Sequence, residues 1–161
     1  MKTKHIVLSV LAVFVLWLIF WPSEKDHLNA QMAVLCKKDG GVKIYETVKL
    51  PAEMFNEWGG LKNKKFTRQN NKDSMLIGND YILIEESISI KKGDIQKDEG
   101  VLSRTRSEIR RTTNNALLAE AVEYRRAGGD RWNAGMPSAD SCPIDSIDLF
   151  NKVFSKLGAT K

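Results

Sequence analysis

The chain has 161 residues, a formal net charge of +5, and 42% hydrophobic and 28% charged residues. That balance excludes a disordered or collagen-like chain, and the length suits one domain with a short appendage. A basic excess of this size argues no more for nucleic acid than for anionic lipid headgroups.

The first element is Ile6–Trp21, an apolar run of sixteen residues without a charge. As a helix it spans roughly 24 Å, slightly less than the ~30 Å core of a bilayer. Thr3, Lys4 and His5 can extend it, their longer side chains reaching back to the interface. Trp17 and Trp21 suit an interfacial aromatic belt, and Lys2 and Lys4 predict a cytoplasmic N-terminus. The expectation is a tail at 1–5, a transmembrane helix at 6–21 in contact with lipid, and an extracytoplasmic domain at 22–161. A cleaved signal peptide shares the charged start and apolar middle. Leu18, Ile19, Phe20 and Trp21 run into Pro22 without a small-x-small cleavage site, which favours a retained anchor. Both readings export the domain.

Ser23 and Asp26 have the spacing of a capping box, and Leu28, Met32, Leu35 and Cys36 share one helical face. A helix near 24–38 is expected, stopped by Gly40-Gly41. Val42–Leu50 reads as a strand, and Pro51 as the first turn of a helix carrying Met54, Phe55 and Trp58. Residues 61–74 are polar and basic and read as a loop, with a short extended piece around Phe66. Ile82, Ile84, Ile88 and Ile90 alternate as a half-buried strand. Residues 91–100 read as a charged loop.

Residues 101–112 and 116–127 form two strand-like runs around Thr113-Asn114-Asn115. Asn accepts the left-handed conformation of a tight hairpin turn. With Asn114-Asn115 at the turn, Thr113 pairs with Ala116 and Arg106 faces Glu123. One face of this ribbon then carries Arg104, Arg106, Glu108, Arg110, Glu123 and Arg125. Val101, Ile109, Leu118, Val122 and Tyr124 lie on the other, towards the core. Residues 130–143 read as a loop, and 145–157 as a final helix with Ile147, Phe150, Phe154 and Leu157 inward. The expected fold is α+β: an antiparallel sheet of four or five strands with helices near 24–38 and 145–157 packed on it.

An exported domain holds its cysteines under oxidising conditions, so a Cys36–Cys142 disulfide is expected; two buried thiols that never meet are the alternative. The bond would restrain the unfolded chain by roughly 4–5 kcal/mol on the loop-entropy account.

His5 and His27 are the two histidines, and neither lies in the body of the domain. That argues against a His-activated nucleophile and a His-based zinc site. The Gly-Gly pairs at 40–41, 59–60 and 128–129 read as stops rather than phosphate cradles, and Glu85 and Glu86 should point to opposite faces. No cofactor is expected. Arg104, Arg106, Arg110 and Arg125 are the candidate anion-binding face, against the plainer reading of a solvated sheet surface. Trp132 is a candidate contact residue. Nucleic acid is disfavoured by the compartment and by the lack of aromatics between these arginines.

The stretch Cys36-Lys-Lys-Asp-Gly-Gly-Val-Lys-Ile-Tyr-Glu-Thr-Val-Lys-Leu50 resembles segments of short bacterial membrane or exported proteins of uncharacterised activity. They share the apolar start, this passage, a later hairpin and a Cys-Pro near the end. The resemblance implies a bacterial envelope setting at the inner membrane, with the domain periplasmic or extracellular, and carries over no functional residue. The functional expectation is a non-enzymatic, membrane-anchored interaction or assembly module with an envelope protein as partner. The alternatives are an envelope enzyme using Asp, Glu and Tyr, and an anion-binding module using the arginine face.

Overall fold

A computed structural model describes residues 11, 13–14, 22–58, 60–62, 64–69, 72–131, 136–143 and 149–157. The apolar run 6–21 lies outside them except for Leu11, Val13 and Phe14, and Trp132 lies outside them too.

Helix α1 (Glu24–Asp39) starts at the expected capping box: the Asp26 N–H donates to Ser23 Oγ, and the Ser23 N–H donates to Asp26 Oδ2 at 2.8 Å. Leu28, Met32 and Cys36 recur every four residues and are buried against Leu102, Val122 and Tyr124. Each such side chain contributes about 1.5–3 kcal/mol of burial. Eight strands are described before the last helix: β1 (Gly41–Ile44), β2 (Val48–Leu50), β3 (Lys64–Gln69), β4 (Lys72–Ile77), β5 (Tyr81–Lys91), β6 (Val101–Arg111), β7 (Leu117–Ala127) and β8 (Ala139–Cys142). The five-residue α2 (Leu149–Val153) and β9 (Phe154–Lys156) close the described chain.

Seven strands form one sheet in the order β1-β7-β6-β5-β4-β3, with β8 beside β1 on the same edge of β7. All its pairings are antiparallel; β2 and β9 form a separate parallel pair. The Cys36–Cys142 disulfide is present and ties α1 to β8 across 106 residues.

The expected α+β fold therefore needs correcting. The molecule is mostly antiparallel sheet with one helix of sixteen residues, and the sheet has seven strands, not four or five. Among the described residues no helix is long and apolar enough to cross a membrane; the run 6–21 expected to do so lies outside them but for Leu11, Val13 and Phe14. The additional strands come from segments read as loops. β3 and β4 fall in the basic stretch 61–74, whose lysines suit a sheet edge because they repel further strands. Arg68 closes that hairpin with two donors on the Asp73 carboxylate, at 3.0 and 2.9 Å. The strand expected at 42–50 is broken at Tyr45–Thr47, and the helix expected from Pro51 is a 3-10 turn at Ala52–Met54. The final helix is confined to Leu149–Val153 among the described residues, because Phe154 leaves it to pair with Val48.

The hairpin register differs by one residue from the expected one. Arg104 pairs with Tyr124 and Arg106 with Val122, not with Arg125 and Glu123. The turn is longer than two residues: the Arg111 N–H donates to Ala116 O, Asn115 sits at φ 57°, and a bulge between Ile109 and Arg110 takes up the offset. A one-residue slip turns every β7 side chain to the opposite face. Val122 and Tyr124 consequently join Leu102 under α1, while Glu123 and Arg125 move to the far side. Apolar residues then occupy both faces: the second core gathers Leu83, Ile109, Leu118, Ala119 and Ala121 beneath Leu149, Val153 and Phe154.

Candidate functional site

The arginine face lies beside α1 and is occupied from within. Arg104 reaches Asp39 Oδ2 at 3.0 Å and donates to the Tyr124 hydroxyl, which itself donates to Asp39 Oδ1 at 2.7 Å. Arg106 bridges Glu108 and Glu120, each at 2.9 Å, and thereby relieves the repulsion of two carboxylates directly opposite each other. Arg110 holds the other oxygen of Glu108 at 2.7 Å. The Tyr45 hydroxyl and Lys43 Nζ add to Glu120. The Arg106 hydrogen bond, followed by that from Tyr45, holds the Glu120 carboxyl well below its ordinary value, at about 2. An incoming anion here meets guanidinium donors already aimed at carboxylates. Arg125 is not part of this row; it is exposed on the other face.

That other face changes character along the strands. The pairings define successive rows across it: Ala119, Ile109, Leu83, Met75 and Phe66; then Ala121, Ser107, Glu85, Asp73 and Arg68; then Glu123, Thr105 and Ser87; then Ser141, Arg125, Ser103 and Ser89. The first row is core. From the last three, Arg68, Asp73, Glu85, Ser87, Thr105, Ser89 and Ser103 line an open trough of about 930 Å³, with Lys92 at its rim. A smaller hollow of about 250 Å³ shares Glu85 and Thr105 with it and ends against Leu149 and Phe150.

The hydroxyls of the floor are only loosely engaged. Ser87 and Thr105 hydroxyls lie 3.4 Å apart, Ser103 Oγ is 3.4 Å from Arg125 O, Ser89 Oγ is 3.2 Å from Lys91 O, and, in the adjoining hollow, Ser107 Oγ is 3.3 Å from Glu85 Oε1. Strong O–H···O bonds are near 2.7–2.8 Å, so these groups can turn to a ligand at little cost. The trough is also polarised. Glu85 and the Arg68–Asp73 ion pair mark one end, with Asp73 lowered by its hydrogen bond from Arg68, and Lys92 marks the other.

Sequence reasoning missed this surface. Its signal was the second periodicity in the hairpin: Ser103, Thr105 and Ser107 alternate as regularly as the charged residues between them, and Ser87 and Ser89 alternate with Ile88. Ile88 and Ile90, expected to be half-buried, are 50% and 40% exposed. Glu85 and Glu86 do lie apart: Glu85 pairs across to Ser107 on the trough side, and Glu86 pairs with Lys72. Among the described residues no three His, Cys, Asp or Glu side chains gather as metal ligands. No family model, no curated protein and no solved structure matches the chain.

Proposed function

We propose that this protein is an exported interaction module of a bacterial envelope, brought to the membrane by its apolar run 6–21, that receives a partner in the hydroxyl-lined trough. One observation carries the reading: the trough floor offers four weakly engaged hydroxyls between Glu85 at one end and Lys92 at the other. Such a floor recognises polar groups by direction, and its charged ends orient them. The arginine face by contrast spends its donors on internal carboxylates. The disulfide suits an oxidising compartment.

A photo-crosslinking residue at Thr105, compared with one at Glu108 on the arginine face, tests the reading in intact cells. The expected result is one discrete adduct from position 105 and none from 108. Equal adducts from both positions, or none from either, would overturn it. A reporter active only outside the cytoplasm, fused after Leu157, checks the compartment.

A further inference from the structure

The trough reaches round an open sheet edge. β4 pairs with β5 only from Tyr81 to Glu86, whereas β6 accompanies β5 as far as Lys91. Among the described residues no strand flanks Ser87–Lys91 on the β4 side. Ile88 points to the face opposite Ser87 and Ser89, yet it lines the same cavity. The cavity therefore wraps the edge and takes in the unpaired main-chain groups there, which alternate residues of an antiparallel strand direct outward.

Resting on the reading of the trough as a docking site, we propose that the bound part of the partner is an extended polypeptide segment of about five residues, added as a strand antiparallel to Ser87–Lys91. Charge fixes its pattern. Ser87 to Lys91 spans four residues, about 13 Å along the strand, and Glu85 and Lys92 flank that stretch. Its leading residue lies by Lys92 and is acidic; its last lies opposite Ser87, diagonal to Glu85 on the trough side, and is basic. Two intervening side chains fall on the Ile88 and Ile90 side and are aliphatic, matching the exposure of those residues. The bulge at Ile90 and the cation Lys92 discourage long or uncharged strands, so the edge selects a short segment that begins with an acid. β5 has a related run, Glu86-Ser-Ile-Ser-Ile-Lys91, one residue longer between acid and base, which makes a second copy of the chain the rival occupant.

The test uses the full chain in detergent solution and two fluorescent, end-blocked peptides, Glu-Ile-Ser-Ile-Lys and its reverse Lys-Ile-Ser-Ile-Glu, followed by anisotropy. The first should bind and the reverse should bind about tenfold more weakly, the size of two exposed charge pairs. A Glu85→Gln/Lys92→Gln variant should lose the same factor with its melting temperature unchanged. Methylating alternate backbone nitrogens of the first peptide, which removes strand hydrogen bonds and leaves the charges, should abolish binding. Equal binding of both peptides, undiminished binding of the methylated one, or no binding at millimolar peptide would each overturn the proposal. So would a dimer in light scattering that dissociates in the Glu85→Gln/Lys92→Gln variant, because a second copy would then hold the edge. If Thr105 crosslinks a partner and the peptides fail, the trough stands as a docking site and the strand proposal alone falls.

Discussion

The two faces of the β6–β7 ribbon are built from the same alternating residues and end in opposite states. On the α1 side the polar residues are long and of both signs, and they close on one another: Arg104 on Asp39, Arg106 on Glu108 and Glu120, Arg110 on Glu108. On the trough side the polar residues of β6, like those of β5 beyond Glu86, are short hydroxyls held by long bonds of 3.2–3.4 Å. Length of side chain, not polarity, separates a surface that satisfies itself from one left open to a partner. The cation count of a face is therefore a poor guide to what it binds.

Breaking the α1 side at its tether should have the largest effect. Replacing Cys36 and Cys142 by serine frees a 106-residue loop and should cost roughly 4–5 kcal/mol, read as a lowered denaturation midpoint. Amides around Leu102 and Val122 should lose more exchange protection than those around Leu83 and Ile109, since α1 covers only the former. Uniform loss would show that the two cores unfold as one.

Arg126 comes next. It is 2% exposed and donates to Asn29 Oδ1 at 2.6 Å and to Gly128 O, Ser138 O and Ser138 Oγ at 2.8–3.1 Å, pinning the loop after β7 to α1. Arg126→Ala leaves the buried Gly128 carbonyl and the half-buried Asn29 and Ser138 acceptors unmet, and should cost about 2–4 kcal/mol in thermal or denaturant unfolding. A cost below about 1 kcal/mol would mean that water replaces the guanidinium.

How much of this was legible in the sequence depended on whether the information was local. The α1 cap needed only Ser23 and Asp26, three residues apart, and it was readable. β5 announced itself by its isoleucines. The stretch Lys64–Gln69 did not, because a strand of lysines, one phenylalanine and one threonine earns its pairing from β4 and not from propensity. Likewise, the hairpin was recognisable but its register was not. The offset lies in a bulge at Ile109/Arg110, and nothing in those two residues marks it. That single residue of slip decided the site: it moved Arg125 off the arginine face and put the hydroxyl rows together.

Acid should separate the two faces next. Glu120, held by Arg106 and Tyr45, and Asp130, held by the Ser138 N–H and hydroxyl, both titrate at about 2 in the folded protein. The unfolded chain binds protons at these groups already near pH 4–5, so protonation favours unfolding. Their contribution is complete above that range, erodes as the pH falls, and is gone below about 2. Glu120→Gln should lower stability at pH 7 by about 1–2 kcal/mol and flatten the acid limb of the stability profile. An unchanged acid limb would place the sensitivity in other carboxylates.

The smallest effect on stability should belong to the trough, and that is what makes it informative. Thr105→Ala removes a hydroxyl whose bond to Ser87 is 3.4 Å long, and it should change stability by less than about 0.5 kcal/mol. Ser103→Ala should behave alike, since its bond to Arg125 O is equally long. Together these substitutions should suppress capture of the partner while the unfolding curve stays in place. On the α1 side no comparable change is expected to be silent, because each donor there has a charged counterpart to orphan. If Thr105→Ala instead destabilised by 1 kcal/mol or more, the hydroxyl row would be holding the sheet together, and the contrast between a self-satisfied face and an open one would disappear.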